Sequence, residues 1–206
     1  MYVTRHTHVV DKTLIDQLWL LYKRSYVRTA EATVTHEMLE QPEFCEQLAD
    51  HTSRVWVLWD DNRPIGMSLI ATDVKATRWL SERYFKTHFP DRFAAGQVHY
   101  VVWVTIDPSY VAKGAIMALA QQALAVEARD GALLVFDTPD INQPHDEGGA
   151  AELMIRLARI VGEADLLPLG TQRYFAVDFT GAQVLEASSV EGDDEQSANH
   201  GMSTRA

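Results

Sequence analysis

Cysteine is nearly missing from this chain: Cys45 is the only one among 206 residues. An internal disulfide is thereby excluded, and so is a cysteine-based metal site. Cys45 stands beside Phe44 and near Leu48, which marks a buried structural thiol rather than a nucleophile. Positive charge is also scarce. Lys and Arg number 18 against 29 Asp and Glu, for a formal net charge of -11. A nucleic-acid backbone needs a basic face, so nucleic acid is not expected as a partner. The same charge points only weakly to cationic substrates. There is no cationic start followed by an apolar segment, and no apolar run of membrane-spanning length. The expectation is a cytoplasmic protein without a membrane partner. Internal repeats at solenoid periods are missing as well.

Hydrophobic residues make up 47% of the chain and charged ones 23%, ordinary values for a globular protein. The length fits one domain, placed at residues 1–180. From Gly181 onward Ser, Glu, Asp, Gly and Asn dominate, so 181–206 is expected to be a disordered acidic tail.

Residues 2–10 alternate weakly and form a first edge strand. His6 and His8 share a face there, but two histidines without a third ligand are read as a solvated edge rather than a metal site. Asp11 or Thr13 caps a helix whose apolar stripe is Leu14, Ile15, Leu18, Trp19, Tyr22 and Tyr26. Thr35 is the cap expected for a second helix, which Pro42 interrupts or restarts. Val55–Trp59 and Ile65–Val74 read as an antiparallel hairpin around a turn at Asp60–Pro64. Residues 75–97 are aromatic and longer than a hairpin loop requires. They form either a helix covering one sheet face, the favoured reading, or an apolar lid over a substrate.

The rest of the chain is organised around Val98–Ala125. VHYVVWVTI is a buried strand, Asp107-Pro108-Ser109-Tyr110 breaks it, and Ala112 onward adopts helical spacing. The turn thus ends at a helix N-terminus, where backbone N–H groups and the helix dipole favour an anion. The bland alternative is a glycine that merely eases packing. Ala132–Phe136 is a further strand, joined by a crossover long enough to run parallel to 98–106. Asp137, Asp140, His145, Asp146 and Glu147 follow in what reads as a solvated acidic loop, not a metal site. Helix 150–161 carries Leu153, Met154, Leu157, Ile160 and Val161 on one face, and 173–179 gives a last strand.

The segment Ile106-Asp107-Pro108-Ser109-Tyr110-Val111-Ala112-Lys113-Gly114-Ala115-Ile116 resembles the acyl-CoA-binding turn of the GNAT superfamily of N-acetyltransferases. Pro108, Tyr110, Lys113 and Gly114 match that turn. Val111 stands where Arg or Gln is usual, Ala112 replaces a common Gly, and Ile116 replaces a small residue. Val55–Trp59 followed by Ile65-Gly66 is similar to the strand pair that precedes it in the family, and the likeness extends over residues 2–179. It implies an α+β fold: a mixed sheet with an antiparallel hairpin, a parallel strand–helix–strand crossover and helices on both faces.

The resemblance implies acetyl-CoA or another acyl-CoA, held by Ile106, Val111, Ala112, Lys113, Gly114, Ala115, Ile116 and Asn142. It implies an N-acyltransferase acting on the amine of a small molecule, or of a protein. The alternative is a GNAT-like domain that no longer acetylates and binds a ligand or partner. The strand glutamate usual in the family is missing. His99 and Tyr100 are the titratable groups on the central strand, pointing to opposite faces, and Tyr174 is a third candidate proton donor. Each has a packing or hydrogen-bonding reading beside the catalytic one.

Overall fold

The computed structural model describes residues 1–33, 38–139, 142, 149–172 and 176. Its sheet has five strands in the order β1-β2-β3-β4-β5: Tyr2–His6, Ser53–Asp60, Arg63–Ala71, Val98–Ile106 and Leu133–Val135. The first three junctions are antiparallel and β4 pairs with β5 in parallel. The mixed sheet expected from the sequence is therefore present. Met1–Gly170 forms one compact unit. The expected boundary at residue 180, the tail 181–206, Tyr174 and nearly all of strand 173–179 lie outside the described residues. So do Thr35, Asp140, His145, Asp146 and Glu147.

Helix α1, Lys12–Ala32, starts where the Asp11 carboxylate accepts the Leu14 N–H at 2.8 Å. Leu18, Leu21 and Tyr22 bury its stripe against Val55, Val57, Met67, Leu69 and Trp103 on one sheet face. Helix α2, Gln41–Ala49, opens with a capping box between Glu40 and Glu43. Pro42 sits in its first turn, where the missing N–H costs nothing, so it begins the helix instead of interrupting one. Phe44 and Leu48 carry α2 onto the same core.

The hairpin turn is tighter than the sequence indicates: Asp60 already pairs with Arg63, and Asp61 takes φ 51. Pro64 lies inside β3 next to a register shift, which is where a strand tolerates proline. At its other end β3 stops at Ala71, because Asp73 caps a 3-10 turn over Val74–Ala76. Residues 82–94 form two short helices, α3 (Glu82–His88) and α4 (Pro90–Ala94). Phe85, Tyr84, Phe89 and Phe93 pack them on Val98, Tyr100 and Val135, so the segment covers the sheet as favoured. Pro90 starts α4 rather than merely ending a helix.

Helix α5, Ala115–Arg129, lies on the opposite face, with Ala115, Leu119 and Ala123 against Trp56, Leu58, Ile65, Ile70 and Val101. Helix α6, Ala150–Val161, packs on α5. Its buried stripe is narrower than its periodicity: Leu157 is buried, whereas Leu153 and Ile160 are exposed. No helix among the described residues is long and apolar enough to cross a membrane.

Candidate active site

β4 is nine residues long, yet it pairs with β5 only through Val98, His99 and Tyr100. Beyond Tyr100 the two strands part, and among the described residues no strand pairs with that edge of β4. A second irregularity falls at the fork. Leu69 faces Trp103 but Ile70 faces Val101, so Val102 is an extra residue without a partner in either ladder. A bulge of this kind leaves a backbone N–H and C=O outside the ladder and turns the strand locally. The sequence gives no sign of it, since VHYVVWVTI reads as an unbroken run.

The two residues at the fork leave the strand in opposite directions, as alternation requires. His99 turns toward α5, where Nδ1 bonds the Glu127 carboxylate. Glu127 also accepts from Arg54 Nη1 at 2.6 Å, and Arg54 Nη2 reaches Asp130 at 2.5 Å. His99 and Glu127 are both buried, and through half-buried Arg54 this polar network joins β2, β4 and α5 and reaches the surface at Asp130. Glu127 is a residue the sequence reading missed, because a lone Glu on an alanine-rich helix looks solvated.

Tyr100 turns toward α1 and the 75–97 segment. Its hydroxyl donates to Asp137 Oδ1 at 2.6 Å. Burial first, then that hydrogen bond and the Asp137 charge, with Tyr26 last, hold the phenol above its ordinary pKa. Tyr26 is raised too, by burial, by Tyr22 and by Asp137. Trp79 leans on Tyr100 with ring centroids 6.1 Å apart. Asp137 comes two residues after Val135, the partner of Tyr100.

At the far end of β4 the chain enters the turn. Ile106 pairs with Gly66, and a Cβ on Gly66 would lie 2.6 Å from Ile106 Cδ1, so Gly66 serves close packing. Asp107 is buried. Its Oδ1 accepts from the Ser109 N–H at 3.0 Å and the Ser109 hydroxyl at 2.7 Å, while Oδ2 takes Arg24 at 2.6 Å and also Arg63. Burial opposes ionisation of Asp107, but these bonds and the Arg24 charge outweigh it and hold the carboxyl below its usual pKa. Tyr110 donates to Asp60 at 2.6 Å, and Lys113 Nζ lies 4.3 Å from the Tyr110 ring centroid.

Pro108–Lys113 forms a 3-10 turn, and Gly114 breaks it at φ 74 before α5 begins. Hydrogen bonds within such a turn engage N–H groups of Val111–Lys113, so the donors without an intrahelical partner are those opening α5: Ala115, Ile116 and Met117. Val111, Ala112, Lys113 and Gly114 are exposed, Ala115 is buried and Ile116 is half-buried. The left-handed φ explains the glycine: a side chain there is strained, although an added Cβ would meet nothing within 4 Å. Asn142 is exposed, with its N–H on the Pro139 carbonyl at 2.8 Å. The structure thus joins Ile106 and Val111–Ile116 in one turn, sets His99 and Tyr100 on opposite faces, and leaves Tyr174 undescribed.

A family model, the acetyltransferase (GNAT) family, matches residues 15–144, well over half of the chain. The chain belongs to the acetyltransferase (GNAT) family. It is accordingly an acyltransferase enzyme by family, and the GNAT-like sheet inferred from the sequence is the one observed. No curated protein matches it in sequence. Among solved structures, the tetramutant of BH1408 protein from Bacillus halodurans is 11% identical at a TM-score of 0.52, over 86% of this chain and 100% of that one. A protein assigned as an acetyltransferase from Pyrococcus horikoshii is 18% identical at a TM-score of 0.51, over 68% and 81%. These likenesses show the fold. An aminoglycoside acetyltransferase from an uncultured soil metagenomic sample lies at 11% identity and a TM-score of 0.49, over 85% and 95%.

Proposed function

We propose that this GNAT-family chain moves an acetyl or other acyl group from acyl-CoA to the amine of a small molecule, with a protein amine as the less favoured acceptor. The observation that carries the reading is the parting of β4 from β5 after three paired residues. A nine-residue strand buried in a sheet should pair along its length. Past Tyr100 no strand among the described residues pairs with that edge, and unmatched backbone groups are costly unless something extended lies there. The turn fits the phosphate end of the same molecule: Gly114 leaves open space, the first N–H groups of α5 follow it, and Lys113 adds a solvated positive charge. Ile106 and Val111–Ile116 would hold the donor, with Asn142 near the opposite strand. Acyl-CoA supplies the activated acyl group as a thioester.

The residues of the chain do the rest. Backbone N–H groups on the edge of β4 that no described strand pairs with, Val102 foremost, offer donors to an oxygen that gains negative charge during transfer. In the balanced reaction an amine loses one proton and gains the acyl carbon, the C–S bond breaks, and the sulfur leaves as thiolate to be protonated as free CoA. Of the three residues first considered for proton transfer, His99 is committed to Glu127 on the far side of the strand and serves the fold. Tyr100 lies on the other face of the strand, with its hydroxyl donating to Asp137, and is the candidate of the two left for proton transfer.

Calorimetric titration with acetyl-CoA and longer acyl-CoAs tests the reading directly. One bound equivalent is expected, followed by thiol release when a primary amine is added. A chain that binds no acyl-CoA would refute it and favour a domain that has kept the fold for another ligand.

A further inference from the structure

The turn that leads into α5 is held at its start by the tip of the β2–β3 hairpin. Asp60 and Arg63 face each other across that tip, and each reaches one residue of the turn. Asp60 Oδ2 accepts from the Tyr110 hydroxyl at 2.6 Å, and Arg63 Nη2 donates to Asp107 Oδ2. The Arg63 guanidinium also lies 5.9 Å from the Tyr110 ring centroid, within reach of a cation–π contact. In the backbone, the Asp107 N–H donates to the Ile65 carbonyl at 2.8 Å, and the Tyr110 N–H to the Asp107 carbonyl at 2.8 Å. Arg24 brings α1 onto the same buried carboxylate at 2.6 Å.

The two side-chain bonds run in opposite senses. The hairpin offers a carboxylate to the phenol of the turn, and its guanidinium takes the carboxylate of the turn. Two such contacts resist rotation about either one, so the start of the turn is fixed in angle as well as in place. Its far end is fixed separately by Ala115, fully buried in the cluster that includes Ile65. Between these anchors Val111–Gly114 are exposed. An anion site built from backbone N–H groups depends on this kind of fixing, because the donors must already be aimed when the anion arrives.

We propose that Asp60 and Arg63 are positioning residues for the acyl donor: their clamp on Tyr110 and Asp107 sets the turn that aims the first N–H groups of α5 at the phosphates of acyl-CoA. This rests on the acyltransferase reading and adds to it two residues from a different part of the sheet. Asp60 is the discriminating position, because its two effects have opposite signs. Its negative charge opposes a bound anion, whereas its bond to Tyr110 supports the site. Removing it tightens acyl-CoA binding if charge alone counts, and loosens it if the clamp does.

The test is calorimetric titration of the full chain with acetyl-CoA and with S-acetylpantetheine, which lacks the phosphates. Each variant is titrated well below its melting temperature, so that lost stability alone leaves affinity unchanged. Tyr110→Phe removes a hydroxyl and no charge, and should weaken acetyl-CoA about three- to tenfold. Asp60→Ala should weaken it to a similar degree, and the double variant no further, because both remove one bond. Asp61→Asn takes away the same charge one residue along and should not weaken binding. Arg63→Ala should weaken acetyl-CoA at high salt as well as low, since screening removes only its long-range attraction. S-acetylpantetheine affinity should stay put throughout, which general damage to the fold would not allow. Unchanged acetyl-CoA affinity in Tyr110→Phe, tighter binding in Asp60→Ala, or an equal loss for both donors would overturn the inference and leave the acyltransferase reading standing. Failure of the wild type to bind acetyl-CoA would bring down that reading, and the clamp with it.

Discussion

His99 and Tyr100 are neighbours on one strand, and both meet a carboxylate, but the two carboxylates live under different rules. Glu127 is buried on the α5 side, held by His99 and by Arg54, which is in turn fixed by Asp130. Its charge is answered inside the protein, so the network locks β2, β4 and α5 together. Asp137 is exposed at the fork and is held by a phenol. Burial beside a guanidinium makes Glu127 a structural carboxylate, whereas Asp137 meets solvent.

The largest effect should come from the interior side. Glu127→Ala removes the shared partner of the buried His99 ring and the Arg54 guanidinium and is expected to cost about 3 kcal/mol or more, as measured by urea unfolding. Asp137→Asn on the other side should stay within about 0.5 kcal/mol of wild type. Equal losses from the two would erase the distinction drawn between them.

Gly114→Ala should rank next, at about 1–2 kcal/mol, because its φ of 74 strains any side chain while the surrounding space is open. The same unfolding series reads it. A neutral outcome would mean that the turn relaxes to another conformation.

The pH dependence separates the two ends of β4. Asp107 is depressed in the folded state, so the stability it contributes is present above the unfolded carboxyl pKa and is lost as pH falls through the lower folded value. Asp107→Asn should flatten that acid limb. Tyr100 and Tyr26 are raised, so stability is intact below the unfolded tyrosine pKa near 10 and declines as pH climbs above it. Tyr100→Phe should soften the alkaline decline and leave the acid limb alone. Melting curves at stepped pH distinguish the two, and crossed effects would show that the assignments are wrong.

The smallest effect belongs to Lys113. Its ammonium is exposed beside Tyr110, so Lys113→Ala should weaken acyl-CoA binding only about two- to threefold at low salt, and less at high salt. A large loss would mean that Lys113 is more closely engaged than a screened surface charge.

Much of the scaffold was legible without coordinates. The β-branched run from Val98, the halt at Asp107-Pro108 and the alanine-rich helix after it determine strand, turn and helix by local chemistry. The Asp11 cap and the α1 stripe follow in the same way. The family is legible in those residues too, since Pro108, Tyr110, Lys113 and Gly114 recur at a spacing set by one local turn.

What the sequence could not show depends on residues distant in the chain. Periodicity says that His99 and Tyr100 face opposite ways, but not that Glu127 waits for one and Asp137 for the other, 28 and 37 residues on. The bulge at Val102 arises from the register between two strands, and register is a property of the pair. The fork likewise exists only because β5 stops pairing after Val135. Sequence alone determined the elements and the turn between β4 and α5, because hydrogen bonding and rotamer preference act over a few neighbours. Tertiary structure alone decided which carboxylate was buried beside His99 and Arg54 and which was left exposed, because burial and charge pairing are settled when separate elements meet.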